Sequence, residues 1–176
     1  MIRNATEADI DAEASIYAHI HSAEEQGEAV IGWIRGVYPE RQTALEALAR
    51  GDLFVQTAVV QGKPTVVGTA ILNQRQVDVY DQAHWKYRVP DREIMVMHTL
   101  VIDPDVKGRG YGREFAQYYE RYALENGCHY LRIDTNARNQ RARAFYQKLG
   151  YSEIGILPCA FNGIPGVNLV LLEKRI

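Results

Sequence analysis

Residues 94–120 read IMVMHTLVIDPDVKGRGYGREFAQYYE, and the three parts of that stretch organise the rest of the chain. Ile94 to Ile102 is an apolar run of strand length, too short to span a membrane and suited to a buried strand. Asp103-Pro104-Asp105 then turns the chain, because Pro104 has no N–H to give to a ladder. Lys107-Gly108-Arg109-Gly110-Tyr111-Gly112 runs straight into a helical pattern. A strand, a glycine-rich turn and a helix start together make a holder for a phosphate. Glycines let the backbone point its N–H groups inward, and the helix N-terminus adds partial positive charge. Lys107, Arg109 and Arg113 add full charges beside it. The spacing excludes a Walker A loop, since Gly112 is followed by Arg113-Glu114 rather than Lys-Ser/Thr. It also excludes a Rossmann fingerprint, since Arg113 stands where the third glycine would be.

What remains resembles motif A of the Gcn5-related N-acetyltransferases, the GNAT superfamily: Arg/Gln-x-x-Gly-x-Gly/Ala after a strand ending Leu-x-Val-x-Pro. This chain has Leu100-Val101-Ile102-Asp103-Pro104, then Lys107-x-x-Gly110-x-Gly112. Lys107 keeps a donor where the family has Arg or Gln but lacks the planar fork of arginine. The segment from Asn139 to Tyr151, NQRARAFYQKLGY, is similar to the family's N-x-x-A-x-x-F-Y-x-K-x-G-F. The two motifs come in the family's order, separated by a helix and a strand.

The resemblance implies a single N-acetyltransferase domain over residues 1–176, of α+β class in α/β/α layers. Its central sheet would be mixed and mostly antiparallel, splayed between strands four and five, with helices on both faces. It also implies acetyl-CoA as co-substrate, no metal, and direct transfer to a primary amine; the family's acceptors range from small molecules to protein N-termini, and the acidic residues of the 73–92 connection favour a small molecule over a protein. By the same resemblance the pyrophosphate lies on Lys107, Gly108, Arg109, Gly110, Tyr111, Gly112 and Arg113. Leu100, Val101 and Ile102 offer main-chain atoms to the pantetheine arm and the acetyl oxygen. Tyr146 matches the tyrosine that protonates the departing sulfur; a phenol, with a reference pKa of about 10, is protonated at neutral pH. The same ring also fits the apolar stripe of its helix. Asn139 matches the asparagine on the cofactor arm, and it serves equally as a helix N-cap.

The base is less determined. Val96 stands where some family members place a glutamate. His98, on the same strand, matches a histidine of the aralkylamine acetyltransferases, and its reference pKa of about 6.5 suits proton transfer. A lone histidine on an apolar strand is more often a satisfied core residue, and Glu93 is the second candidate. A regulatory module of the same fold, binding acyl-CoA without turnover, is the alternative reading. Dimers are common in the family, so a homodimer is an open alternative to a monomer.

A length of 176 residues suits one domain with a sizeable core. A net charge of −2 gives no broad nucleic-acid footprint. Cys128 and Cys159 make neither a disulfide framework nor a metal cluster, and each reads as a small buried hydrophobe. No apolar run approaches the roughly 20 residues of a spanning helix, and no basic-then-apolar leader is read, so a reducing, cytoplasmic setting is expected.

Along the chain, Ile2 to Ala5 reads as a strand, with Thr6 as an N-cap answered by Asp9. Ile10, Ala14, Tyr17 and Ala18 recur at helical spacing, with His19 and His21 on a solvated face. Family architecture sets Glu24, Glu25, Glu28, Trp33 and Tyr38 near the acceptor; the residues themselves favour a charged outer face with Trp33 in the core. Pro39 suits a first helical position and Gly51 a helix end. Leu53–Val60 and Thr65–Leu72 read as a hairpin around Gln61-Gly62-Lys63-Pro64, with Gly68 marking a bulge or a close approach. Residues 73–92 form a long connection near the acceptor mouth or, equally, a surface excursion or dimer contact. Asp78, Asp81, Asp91 and Glu93 there favour a cationic amine. Phe115, Tyr118, Tyr119, Tyr122 and Ala123 form a helical stripe ending at Gly127, and Tyr130 to Thr135 is a strand with Leu131 and Ile133 on one face. Asn139 to Leu149 is a helix, and Gly155–Cys159 with Val167–Glu173 closes the sheet.

Overall fold

A computed structural model describes all of residues 1–176. Strands β1 (Ile2–Asn4), β2 (Leu53–Val60), β3 (Lys63–Asn73), β4 (Ile94–Ile102), β5 (Tyr130–Asn136), β6 (Ser152–Phe161) and β7 (Ile164–Arg175) form one sheet. Their order is β1-β2-β3-β4-β5-β7-β6. Every neighbouring pair is antiparallel except β4–β5, which is parallel. Helices α1 (Ile10–Glu25) and α2 (Arg41–Arg50) pack on one face through Ile16, Tyr17, Ala44 and Ala47, against Leu53, Ile71 and Val101. Helices α3 (Tyr111–Glu125) and α4 (Gln140–Lys148) pack on the other, where Phe115, Tyr119 and Tyr146 meet Met95, Met97, Leu131 and Ile133. This is the layered α+β arrangement the motifs imply. No helix is long and apolar enough to cross a membrane.

Helix α3 shows how the pattern becomes packing. Phe115, Ala116, Tyr119 and Ala123 lie on one stripe and are fully buried. Removing an aromatic side chain of that size from water contributes roughly 2–3 kcal/mol. The Tyr119 hydroxyl satisfies itself by donating to the Met95 carbonyl at 2.6 Å, and it also reaches the Arg132 carbonyl at 3.2 Å. It therefore pins α3 across β4 and β5 where those strands are still paired.

The feature that positions the site is a bulge in β4. Pairing with β3 runs Thr69↔Val101 and then Ile71↔His98, so β4 carries an extra residue between them. Thr99 absorbs it with φ at +54°, a left-handed conformation that costs a β-branched residue about 1–3 kcal/mol. One inserted residue reverses which face the following side chains take. Before the bulge, Met95 and Met97 face α3; beyond it, Val101 faces α1, while Leu100 and Ile102 turn toward α3. Gly68 answers the bent strand, since a methyl group on it would sit 2.6 Å from Ile102 Cδ1.

Several sequence expectations shift. Pro39 precedes the cap of α2, which is Glu40. His21 is buried, not solvated, with Nε2 2.9 Å from the Pro39 carbonyl. The last two strands are longer than expected and turn through Asn162-Gly163 alone. Tyr80 and Trp85, in the long connection, are core residues packed on Ile94, Val96 and Leu171.

Candidate functional site

The glycine-rich turn caps α3 with Gly110, whose φ of +88° would strain any side chain. The N–H groups of Gly108, Arg109, Gly110, Tyr111 and Gly112 have no backbone acceptor. A row of free donors at a helix N-terminus is a site for an anion of diphosphate size. A groove of about 570 Å³ runs from this turn, lined by Lys107, Gly108, Gly110, Tyr111, Gly112 and Arg113, along Leu100, Val101 and Ile102 to Asn139 and Tyr146. Arg109 is exposed and lies outside this lining. Lys107 Nζ sits 3.8 Å from Glu28 across the groove, an exposed pair of small energetic weight.

Strand β4 pairs with β5 only through Ile94↔Tyr130 to Met97↔Ile133. From His98 onward its edge toward β5 is unpaired, while β5 stays bonded to β7 through Asn136. The two strands diverge into a V, and the mouth of that V exposes backbone polar groups of β4. Asn139 sits at the start of α4, its Oδ1 accepting from the Ala142 N–H at 3.0 Å, so it caps the helix and lines the groove together.

A second cavity, of about 430 Å³, opens on the other side of the V. It shares Ile31, Leu100, Asn139, Ala142 and Tyr146 with the first groove. Its walls include Trp33, Tyr38, Phe161, Ile164 and Leu169. Residues 26–39 reach over the V to close it. Glu24 accepts from the N–H groups of Ile31 at 2.5 Å and Gly32 at 2.9 Å, and Tyr38 hydrogen-bonds the Thr99 hydroxyl. Gly32, with φ at +83°, lies against the Asn136 amide, where a side chain would collide. Of the early residues considered, Trp33 and Tyr38 line this cavity, Glu28 lines the groove, and Glu25 pairs with Arg35 on the surface. Trp33 is half-buried, packing against two core clusters while it also lines the cavity.

Tyr146 is buried at the junction of the two cavities. Burial, reinforced by the Asp134 carboxylate, pushes its phenol well above the ordinary range, so it stays protonated. Asp134 faces the second cavity from β5, just past the last β4–β5 pair. Burial raises its carboxyl from 3.8 to about 6, opposed by the Tyr80 hydroxyl, which donates to Oδ2 at 2.8 Å. Sequence reading missed Asp134. Its signal was a carboxylate alternating with Leu131 and Ile133 on a strand otherwise read as core.

His98 also lines the second cavity. Burial lowers its imidazole to about 4, so it is neutral at pH 7. Nε2 lies 3.0 Å from the Arg75 carbonyl and 3.1 Å from Asn73 Oδ1. A carbonyl can only accept, so Nε2 carries the proton and is committed to structure. Glu93 and the acids Asp78, Asp81 and Asp91 line neither cavity; of residues 73–92, those that do are Asn73, Arg75, Gln76 and Val77.

The profile of the acetyltransferase (GNAT) family matches residues 33–151. An uncharacterised N-acetyltransferase of Methanocaldococcus jannaschii is 30% identical over 70 residues, 40% of this chain and 31% of that protein. The chain thus spans about a third of that relative's length. Among solved structures, a GNAT-family acetyltransferase of Streptococcus agalactiae superposes with a TM-score of 0.77 at 22% identity, covering 100% of this chain and 95% of that one. The protein yncA of Salmonella typhimurium, solved with its cofactor acetyl-CoA, superposes at 0.68 with 18% identity over 99% and 92% of the two chains. At such identities these likenesses establish the fold. With the family profile covering the glycine-rich turn, the splayed strands and Tyr146 in one continuous match, this chain belongs to the GNAT family of acetyltransferases.

Proposed function

We propose that the chain transfers the acetyl group of acetyl-CoA directly to a primary amine of a small molecule. The observation that carries this reading is the meeting of two cavities at Leu100, Asn139, Ala142 and Tyr146. One has the free amides of Gly108 to Gly112 at its far end, and the other has Asp134 in its wall. A thioester laid along the first would present its carbonyl to a nitrogen entering by the second.

Each residue then has a defined task. The amides of the turn and the α3 N-terminus hold the pyrophosphate, and the unpaired edge of β4 at Leu100 and Ile102 holds the pantetheine arm and polarises the acetyl oxygen. Asp134, half ionised near pH 6 and ionised at neutral pH, accepts the proton that the ammonium must lose. The neutral nitrogen forms the C–N bond and sheds its second proton to water as the C–S bond breaks. Tyr146, still a phenol, gives its proton to the departing sulfur and is later reprotonated from solvent. Asp134 takes the role for which His98 and Glu93 were the sequence candidates.

The test has two stages. Calorimetry with acetyl-CoA at up to millimolar concentration is expected to give saturable heat. Thiol release over an amine panel is then expected to exceed the hydrolysis background for at least one amine. No heat and no thermal shift with acetyl-CoA would end the reading.

A further inference from the structure

We infer that the acceptor is an amino acid with an apolar or aromatic body, and that Arg75 receives its carboxylate. The inference rests on the acetyl-transfer reading and assigns the substrate class of the same site. It comes from how charge is distributed along the second cavity. At the reaction end stands Asp134, beside Tyr146. The part of the cavity formed by the end of α2 and the residues after β3 carries Arg50 and Arg75. Arg50 is neutralised, with Nε 3.0 Å from Asp52 Oδ2. The Arg75 guanidinium has no acidic or hydrogen-bonding partner in the protein; only its main chain is bonded. Glu46, the one acid on this rim, is exposed and hydrogen-bonded by Gln42.

The Arg75 main chain is held from two sides. Its N–H donates to Asn73 Oδ1 at 2.9 Å, and its carbonyl accepts from His98 Nε2 at 3.0 Å. Asn73 is held in turn, its Nδ2 donating to Asp52 Oδ2 at 2.7 Å. Asp52, Asn73 and His98 thus form a relay whose last member is the Arg75 peptide. Arg75 is exposed at the cavity, with its main chain held and its guanidinium unpartnered, and such a guanidinium matches a planar oxyanion. The rest of the wall includes Trp33, Tyr38 and Val77, with Phe161, Ile164 and Leu169 on the β7–β6 side of Asp134. An amine for Asp134, a carboxylate for Arg75 and an apolar body for the wall together describe an amino acid. His98 is a positioning residue here, acting through Arg75.

The experiment compares phenylalanine, phenylalaninamide and phenethylamine as acceptors, and the matching leucine set, with rates referred to the neutral-amine fraction. The free acid is expected to exceed its amide in kcat/KM by roughly 10-fold or more, the size of one charge-assisted hydrogen bond. Arg75→Gln is expected to bring that ratio toward one, chiefly through KM of the acid, with Arg75→Lys intermediate. His98→Gln is expected to lower the same ratio, which a merely structural histidine would leave alone. Calorimetry of the three ligands on the CoA-loaded chain gives a second readout that needs no turnover. An amide or decarboxylated amine that matches the acid, a ratio unmoved by Arg75→Gln, or no binding of either acid would overturn the inference. Turnover of a decarboxylated amine alone would do so while leaving the acetyl-transfer reading intact; failure of acetyl-CoA to bind would remove both.

Discussion

Replacing Asp134 by asparagine is expected to make the protein more stable and less active together. In the folded chain this carboxyl ionises near pH 6, against 3.8 for an ordinary aspartate, because burial penalises the charge. A carboxyl whose folded pKa is raised binds protons more tightly when folded, so stability falls as pH rises from the unfolded value through the folded one. The penalty reaches about 1.6 kcal/mol at pH 5 and about 3 kcal/mol at pH 8, and it vanishes well below pH 3.8. Asp134→Asn removes it. The amide oxygen can still accept from the Tyr80 hydroxyl, which now donates to Oδ2 at 2.8 Å, so that donor keeps a partner. Urea unfolding at the two pH values should therefore show a gain that grows by roughly 1.4 kcal/mol from pH 5 to pH 8. Over the same range, kcat/KM of the parent protein should climb through an inflection near pH 6 as the base ionises. In Asp134→Asn that inflection should disappear and the rate should fall by roughly 10²–10⁴. A variant that loses stability at pH 8, or that keeps the inflection, would refute the assignment of Asp134 as a buried base.

Tyr146→Phe should lower turnover by roughly 10²–10⁴ while calorimetry shows acetyl-CoA affinity nearly unchanged, since the ring stays and only the proton donor is lost. An unchanged rate would remove Tyr146 as the acid and favour a module that only binds. His98→Gln should keep the pH–rate inflection near 6, because burial already leaves the histidine neutral with a value of about 4; losing the inflection would return the base to His98. Glu13 is fully buried, with neither carboxylate oxygen hydrogen-bonded, and burial raises it from 4.5 to about 8. By the same sign argument Glu13→Met should stabilise the fold increasingly with pH, the pH-dependent part being about 1 kcal/mol at pH 5 and about 3 kcal/mol at pH 7, read from urea midpoints. A gain independent of pH would show that Glu13 is better solvated than its burial implies.

What the sequence determined by itself is local. The apolar run Ile94–Ile102 is a strand with the same bounds in the structure, and the glycine-rich turn is a helix start with free amides. Asn139 caps α4, and the stripe of Phe115, Tyr119 and Ala123 is buried. Each of these follows from residues adjacent in the chain or one helical turn apart, where spacing alone sets the geometry. The second cavity is different, because its walls come from residues 31–50, 71–77, 97–100, 133–146 and 161–169. Only the folded chain brings these together. Acidic residues of the long connection suggested a cationic acceptor, yet the residues of that stretch that line the cavity are Asn73, Arg75, Gln76 and Val77. The facing of β4 could not be read by alternation either, since the extra residue at Thr99 reverses it midway, and that bulge is fixed by pairing with β3 and by Tyr38 above it. Asp134 is the sharpest case. In sequence it is one polar residue in a core strand; what raises its carboxyl to about 6 is burial beside a gap that opens because β4 leaves β5 one residue earlier.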